Sequence, residues 1–354
     1  MKTKSLISGL FAMVAGATMF TSCGGNAKTG ATVDLSGAGA TFPEPFYTMV
    51  FDNFSDSTGN TVAYGGIGSG GGVRNLKDRT VDFAASDAFL SDEEMAEMGE
   101  PVIHIPTCMG AVVLGYNLPG VGTLNLSGDI IADIFAGKIT KWNDARLAEL
   151  NPDAQLPAKD IIPVFRSDGS GTTFVFTNYL SQVSSEWKEK FGAAKSVDFP
   201  AGQAAKGNPG VAGIVKETPY SIGYIGSEYA FAQKIPMATL KNAAGKLVTP
   251  TIESITAAAG SGMPADTRTM ITNSSDPNAY PISCLTWIIV FKEQNYSNRT
   301  KEQALATLDL LKFILSAEVQ KTAAAVNYAP LPAEAVANSL KNLKALTYDG
   351  KPLE

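Results

Sequence analysis

Arg166, Asp168, Ser170 and Thr172 stand in one short run, Phe165-Arg166-Ser167-Asp168-Gly169-Ser170-Gly171-Thr172-Thr173-Phe174. Together these residue types can grasp a small oxyanion. A guanidinium offers a planar fork of donors, and Asp168 can hold that fork in place while neutralising part of its charge. Ser170 is a good N-cap, Gly169 and Gly171 let the backbone approach a ligand, and a helix start adds partial positive charge. The elements that must position this loop are a strand and a helix. Ile161 to Phe165 read as a short buried strand, and Phe176, Leu180 and Val183 recur at helical spacing. Taken alone, the run fits an ordinary turn with a surface ion pair equally well.

The same chemistry recurs twice earlier in the chain. In Gly37-Ala38-Gly39-Ala40-Thr41-Phe42-Pro43, Thr41 sits where an N-cap belongs and Pro43 suits a first turn. Phe46, Met49, Val50 and Phe54 then supply the apolar stripe of a helix. The glycine-rich run Gly65 to Val73 follows the strand-like Thr61 to Tyr64 and precedes Val73 and Leu76. Three such loops in one chain point to one anion held from several sides.

Strand-like and helix-like segments alternate along the rest of the chain, an α/β pattern. Pro101 to Tyr116 reads as a buried strand pair or a bent strand, Tyr220 to Tyr224 and Leu285 to Phe291 as strands. Asp129 to Phe135, Ser184 to Phe191 and Val211 to Lys216 read as helices, and Ala304, Leu308, Leu311 and Leu315 mark one face of another. The 354 residues suffice for two domains, and the net charge of −6 argues against nucleic acid as a partner. Lys2 and Lys4, the apolar stretch Leu6 to Phe20 and the small residues around Cys23 read as a signal peptide.

Rival chemistries find less support. Gly66 to Gly71 formally matches a dinucleotide fingerprint, but that leaves the other two loops unexplained. A P-loop lacks its lysine, and Gly169-Ser170-Gly171 lacks the spacing of a nucleophile elbow. The single histidine, His104, lies in an apolar strand and reads as a packing residue. One histidine and scattered cysteines offer no metal cluster and no cofactor is called for. Cys108 and Cys284 could be neighbours, and are read as two free thiols rather than a disulfide.

Gly37 to Pro43, Gly66 to Ser69, Val81 to Asp87 and Asp168 to Thr172 resemble, in that order, motifs of the periplasmic phosphate-binding proteins of bacterial phosphate-specific ABC transporters. The likeness continues through Leu126 to Trp142, Lys206-Gly207-Asn208, Ser221 to Tyr224 and Asn327 to Pro332, so it covers nearly the whole mature chain. It implies the two-lobed, type II Venus-flytrap architecture of periplasmic binding proteins, with crossover hinge segments near Leu114 to Asn117 and Ile288 to Phe291. The lobes would then be 33–115 with 288–354, and 116–287, after a lipoprotein signal peptide over 1–22 and a tether over 23–32. The small residues around Cys23 resemble a bacterial lipoprotein signal, so lipidation is expected on Cys23, anchoring a periplasmic or cell-envelope monomer to a membrane.

The resemblance implies inorganic phosphate as ligand and the transmembrane permease subunits of an ABC transporter as partner, with no catalysis. Thr41 and Phe42 become a hydroxyl and backbone donor pair, Ser69 a hydroxyl and N–H donor, and Arg166 the charged contact. Ser170, Gly171 and Thr172 contribute hydroxyls and amides, with Asp168 behind Arg166. Asp87, which local sequence alone reads as an N-cap ahead of Ser91 to Glu94, becomes a ligand that accepts the phosphate proton. Sulfate has no such proton, and a site built to pair with one can reject the isostere by on the order of 10⁴-fold. One departure is Gly70, where the family pattern carries a second serine after Ser69. The alternatives are a receptor for sulfate or molybdate and an extracytoplasmic phosphate-ester hydrolase.

Overall fold

The computed structural model describes residues 32–354. The expected signal peptide, Cys23 and the tether up to residue 31 lie outside the described residues. Eight strands share one sheet: β1 Asp34–Gly39, β2 Thr61–Gly66, β3 Phe83–Ser86, β4 Val102–Asn117, β5 Ile162–Arg166, β6 Gln203–Ala205, β7 Ser221–Gly226 and β8 Ser283–Phe291. Their order is β2-β1-β3-β8-β4-β7-β5-β6. The first three are mutually parallel, as are the last three, and β8 and β4 run antiparallel between them.

The expected strand pair or bent strand over 101–116 is one continuous strand of 16 residues, and it belongs to both halves. Val102 to Ala111 pairs with β8, whereas Val112 to Asn117 pairs with β7. β8 starts at that same point: Ser283 faces Ala111, and the Val112 N–H donates to the Ile282 carbonyl at 2.8 Å. Partners therefore change at 111–112 and 282–283. Leu114 to Asn117 face Tyr224 to Ser221, and Ile288 to Phe291 face Ile105 to Val102, so both expected crossover stretches lie inside regular pairing. A run buried on both faces carries no period that marks where its neighbour changes.

Helices cover the sheet: α1 Glu44–Thr58, α2 Ser69–Lys77, α3 Asp92–Ala96, α4 Gly128–Phe135, α5 Gly171–Val183, α6 Gly207–Glu217, α7 Ser227–Gln233 and α8 Lys301–Leu315 are those nearest the argument. Along α1, Phe46, Tyr47, Val50, Phe51 and Phe54 recur at helical spacing and are buried, each worth roughly 1.5–3 kcal/mol of transfer free energy. That apolar face anchors the loop just ahead of it. In the other half, Phe176 of α5 stacks on Tyr224 of β7 at 4.4 Å between ring centroids, fixing helix to sheet.

Two local expectations change. The α1 helix begins at Glu44 with Pro43 in the cap position and no side-chain cap, so Thr41 is not the N-cap and its hydroxyl is free to point elsewhere. Ser91, not Asp87, caps α3, in a capping box with Glu94. Cys108 and Cys284 are both buried and unbridged, on adjacent strands where Cys108 faces Thr286 and Cys284 faces Gly110.

Candidate anion-binding site

The loops leaving the C-terminal ends of β1, β2, β3 and β5 converge, the place where open α/β sheets hold ligands. Each half of the sheet contributes one wall. On the first, β1 runs into Ala40-Thr41-Phe42, whose three successive carbonyls accept the hydroxyls of Tyr64, Tyr229 and Tyr328 respectively. With its acceptors held from outside, this turn keeps donors for whatever lies in front of it; among the described residues nothing takes the Phe42 N–H. Ser69 opens α2, and Asp87 follows β3 directly. Thr41, Ser69 and Asp87 are all buried despite being polar.

The second wall is contiguous in sequence. Arg166 ends β5 with its side chain 1% exposed, and its Nε donates to Asp168 Oδ1 at 2.8 Å while Nη2 meets Oδ2. Burial alone would raise the Asp168 carboxyl, but the hydrogen bonds and charge of Arg166, with the Gly207 N–H, hold it below the usual carboxylate range. Ser170 caps α5 by accepting the Thr173 N–H at 3.0 Å, as expected, so its own proton remains available. Tyr224 ties this wall together: its hydroxyl accepts the Arg166 N–H at 3.1 Å and bonds Thr173 Oγ1 at 2.8 Å.

Hydrogen bonds link the walls. The Gly171 N–H donates to Ser69 Oγ at 3.0 Å, Thr172 Oγ1 donates to Asp87 Oδ2 at 3.1 Å, and the Gly70 N–H donates to the Gly169 carbonyl at 2.9 Å. A Cβ on Gly171 would meet Ser69 Oγ at 2.6 Å and Asp87 N at 2.7 Å, so only glycine fits there. Gly70 likewise permits close approach: a Cβ there would stand 3.3 Å from the Gly169 Cα, where the serine of the family pattern would crowd the seam. At the rim, Lys195 pairs with Glu94 across the two walls.

Asp87 is the electrostatic pivot. Burial pushes its carboxyl up to about 6, opposed by the Thr286 hydroxyl on Oδ1 at 2.9 Å, the Thr172 hydroxyl on Oδ2 and the Arg166 charge. Carboxylate, guanidinium, hydroxyls and a helix start thus meet within one cluster. His104 is elsewhere: its Nε2 accepts the Leu90 N–H at 3.0 Å, and burial pushes its pKa down to about 3, so it packs as a neutral ring. No group of three metal-ligating side chains occurs among the described residues.

Sequence reasoning missed four contributors. Asn208 Nδ2 reaches both Thr41 Oγ1 and Thr172 Oγ1, Thr286 holds Asp87, and Tyr224 and Tyr229 brace the two walls. Lys206-Gly207-Asn208 was visible as a run without a role, and a polar residue at the start of a helix was the available signal. Surface cavities of about 530 and 580 Å³ lie around Arg146 and Tyr179 and around Gly122 and Asn151, away from this cluster. Neither brings a buried charge together with hydroxyls from both walls.

Residues 26–318 match the model of the PBP superfamily domain. A phosphate-binding protein PstS of Pasteurella multocida is 41% identical over 307 residues, spanning 85% of this chain and 87% of that protein. Among solved structures, a phosphate binding protein from Stenotrophomonas maltophilia superposes with a TM-score of 0.69 at 19% identity, over 89% of this chain and 94% of the other. An ABC-type phosphate transport receptor from Vibrio cholerae gives 0.55 at 17%, over 84% and 100%. At those identities the structural likeness bears on the fold, which is the two-lobed binding-protein architecture.

Proposed function

The chain belongs to the PstS family of phosphate-binding proteins within the PBP superfamily, and from that premise we propose that it binds inorganic phosphate between its two lobes and delivers it to an ABC permease. The observation that carries this reading is the buried cluster in which Arg166 and the start of α5 face Asp87 across hydroxyls from both walls. Thr41, Phe42, Ser69, Asp87, Arg166, Ser170, Gly171 and Thr172 hold the anion, with Asp168 steadying Arg166. Each contact to the charged ligand contributes roughly 1.5–3 kcal/mol.

The strand pairing supports lobes of 33–111 with 283–354, and 112–282, in place of the boundaries expected from sequence. Ligand contacts divided between lobes favour the closed form in proportion to differential affinity, so the loaded, closed body is the form a permease distinguishes. Residues 1–22 direct export and Cys23 carries the lipid, placing a monomeric body at the cell envelope. No helix among the described residues is long and apolar enough to cross a membrane. Hydrolysis is disfavoured because Ser170 has no histidine base: the single histidine, His104, is bonded to the Leu90 N–H in the core.

Calorimetric titration of the ligand-stripped chain with phosphate, and separately with sulfate, tests the reading. Tight one-to-one phosphate binding with far weaker sulfate binding at pH 8 is expected. Equal binding of both anions would leave a general oxyanion receptor, and silence toward both would remove phosphate as the ligand.

A further inference from the structure

Asn208 is fully buried and its amide orientation is fixed by chemistry. Its Oδ1 lies 3.0 Å from the Gly226 N–H, a group that can only donate, so the oxygen must face it and the NH₂ must face away. The two N–H bonds of that NH₂ then fall on two hydroxyls in opposite walls, Thr41 Oγ1 at 3.0 Å and Thr172 Oγ1 at 3.1 Å. The backbone N–H of Asn208 also donates to Thr41 Oγ1, at 3.0 Å. A hydroxyl has two lone pairs and one proton. On Thr41 both lone pairs are thereby filled from Asn208, and the remaining capacity of this oxygen is to donate.

Resting on the phosphate reading, we propose that Asn208 is a positioning residue that sets the polarity of the threonine hydroxyls, making Thr41 an obligate donor to an acceptor oxygen of the anion. Thr172 is treated the same way: it accepts from Asn208 and donates to Asp87. Because Thr41 and Asn208 lie in different lobes, the polarity is imposed only when the lobes meet. An open protein has an unaligned hydroxyl, and closure turns it into a donor.

The test is phosphate titration of four chains: parent, Asn208→Ala, Thr41→Val and the double variant, together with Asn208→Asp. Asn208→Asp keeps the shape and the acceptor for Gly226 while replacing the NH₂ by an oxygen that takes protons from both threonines. It should lower phosphate affinity at least a hundredfold at pH 8, with partial recovery as the pH falls and the new acid is protonated. Asn208→Ala should cost about tenfold in the parent and severalfold less in the Thr41→Val background. Additive losses in the double variant, or an Asn208→Asp chain within threefold of the parent, would overturn the assignment. A merely structural asparagine would lower the melting temperature without that coupling or pH profile. Absence of phosphate binding in the parent itself would instead count against the phosphate reading.

Discussion

The two walls of the cleft are built by opposite means. The second wall comes from one run, Arg166 to Thr172, carries the cation and the helix start, and neutralises its own charge through Asp168. The first wall is gathered from three separate loops, carries no cation, and contributes hydroxyls, an amide and the carboxyl of Asp87. The difference teaches a division of labour. On the proposed reading, attraction for any oxyanion would reside in the second wall and discrimination among oxyanions in the first.

Substitutions can break or sharpen that contrast. The largest effect on phosphate affinity is expected from Arg166→Ala. It removes the charged contact and leaves the Asp168 carboxylate with the Gly207 N–H but no cation, costing about 3–4 kcal/mol, or 10²–10³-fold by calorimetry. Sulfate affinity should fall in parallel; a fall confined to phosphate would break the contrast.

Next in size is the sulfate response to pH. An acid titrating near 6 can be recruited in its protonated form, which donates to sulfate rather than repelling it. Protonation removes the charge, so sulfate affinity should be flat below about pH 6 and fall roughly tenfold per pH unit above it, about fiftyfold between pH 6 and pH 8. A slope of this size would leave sulfate rejection through Asp87 below ~10⁴-fold near neutrality. Asp87→Asn should abolish the slope, and a slope that survives would assign discrimination elsewhere.

Ser69→Ala removes one first-wall hydroxyl and the acceptor of the Gly171 N–H, and about tenfold weaker phosphate binding is expected. Smallest is Thr286→Val, which removes one hydrogen bond from ionised Asp87 and should move the midpoint of the sulfate profile upward by about one pH unit or less. A downward movement would contradict the role given to Thr286.

The contrast between walls also explains what could be read from the sequence. The second wall was legible because strand, loop, cap and helix are consecutive, and Ser170 does cap α5. The first was legible only as separate loops. Thr41 looked like a cap because caps are judged from local order, whereas the Asn208 contact that engages it comes from 167 residues away. Thr286 meets Asp87 across a separation of 199. Likewise β4 could not be told from a strand pair, since Pro106, Gly110 and Gly115 read as interruptions, whereas Pro106 is accommodated at a bulge where the pairing register shifts between Thr286 and Trp287.

The place of β8 between β3 and β4 has a consequence for timing. Thr107 bonds the carbonyl of Thr286 across 179 residues, a stretch that takes about 10–35 s to synthesise at ~5–20 residues per second. Until Ser283 to Phe291 emerge, β3 and the first half of β4 have bare edges and no contact through the sheet. The intervening segment, which contains β5, β6 and β7, carries its own partners for those strands and meets no such delay. Folding that kept pace with synthesis would complete the inner portion first and leave the edges of β3 and the first half of β4 bare until β8 arrived.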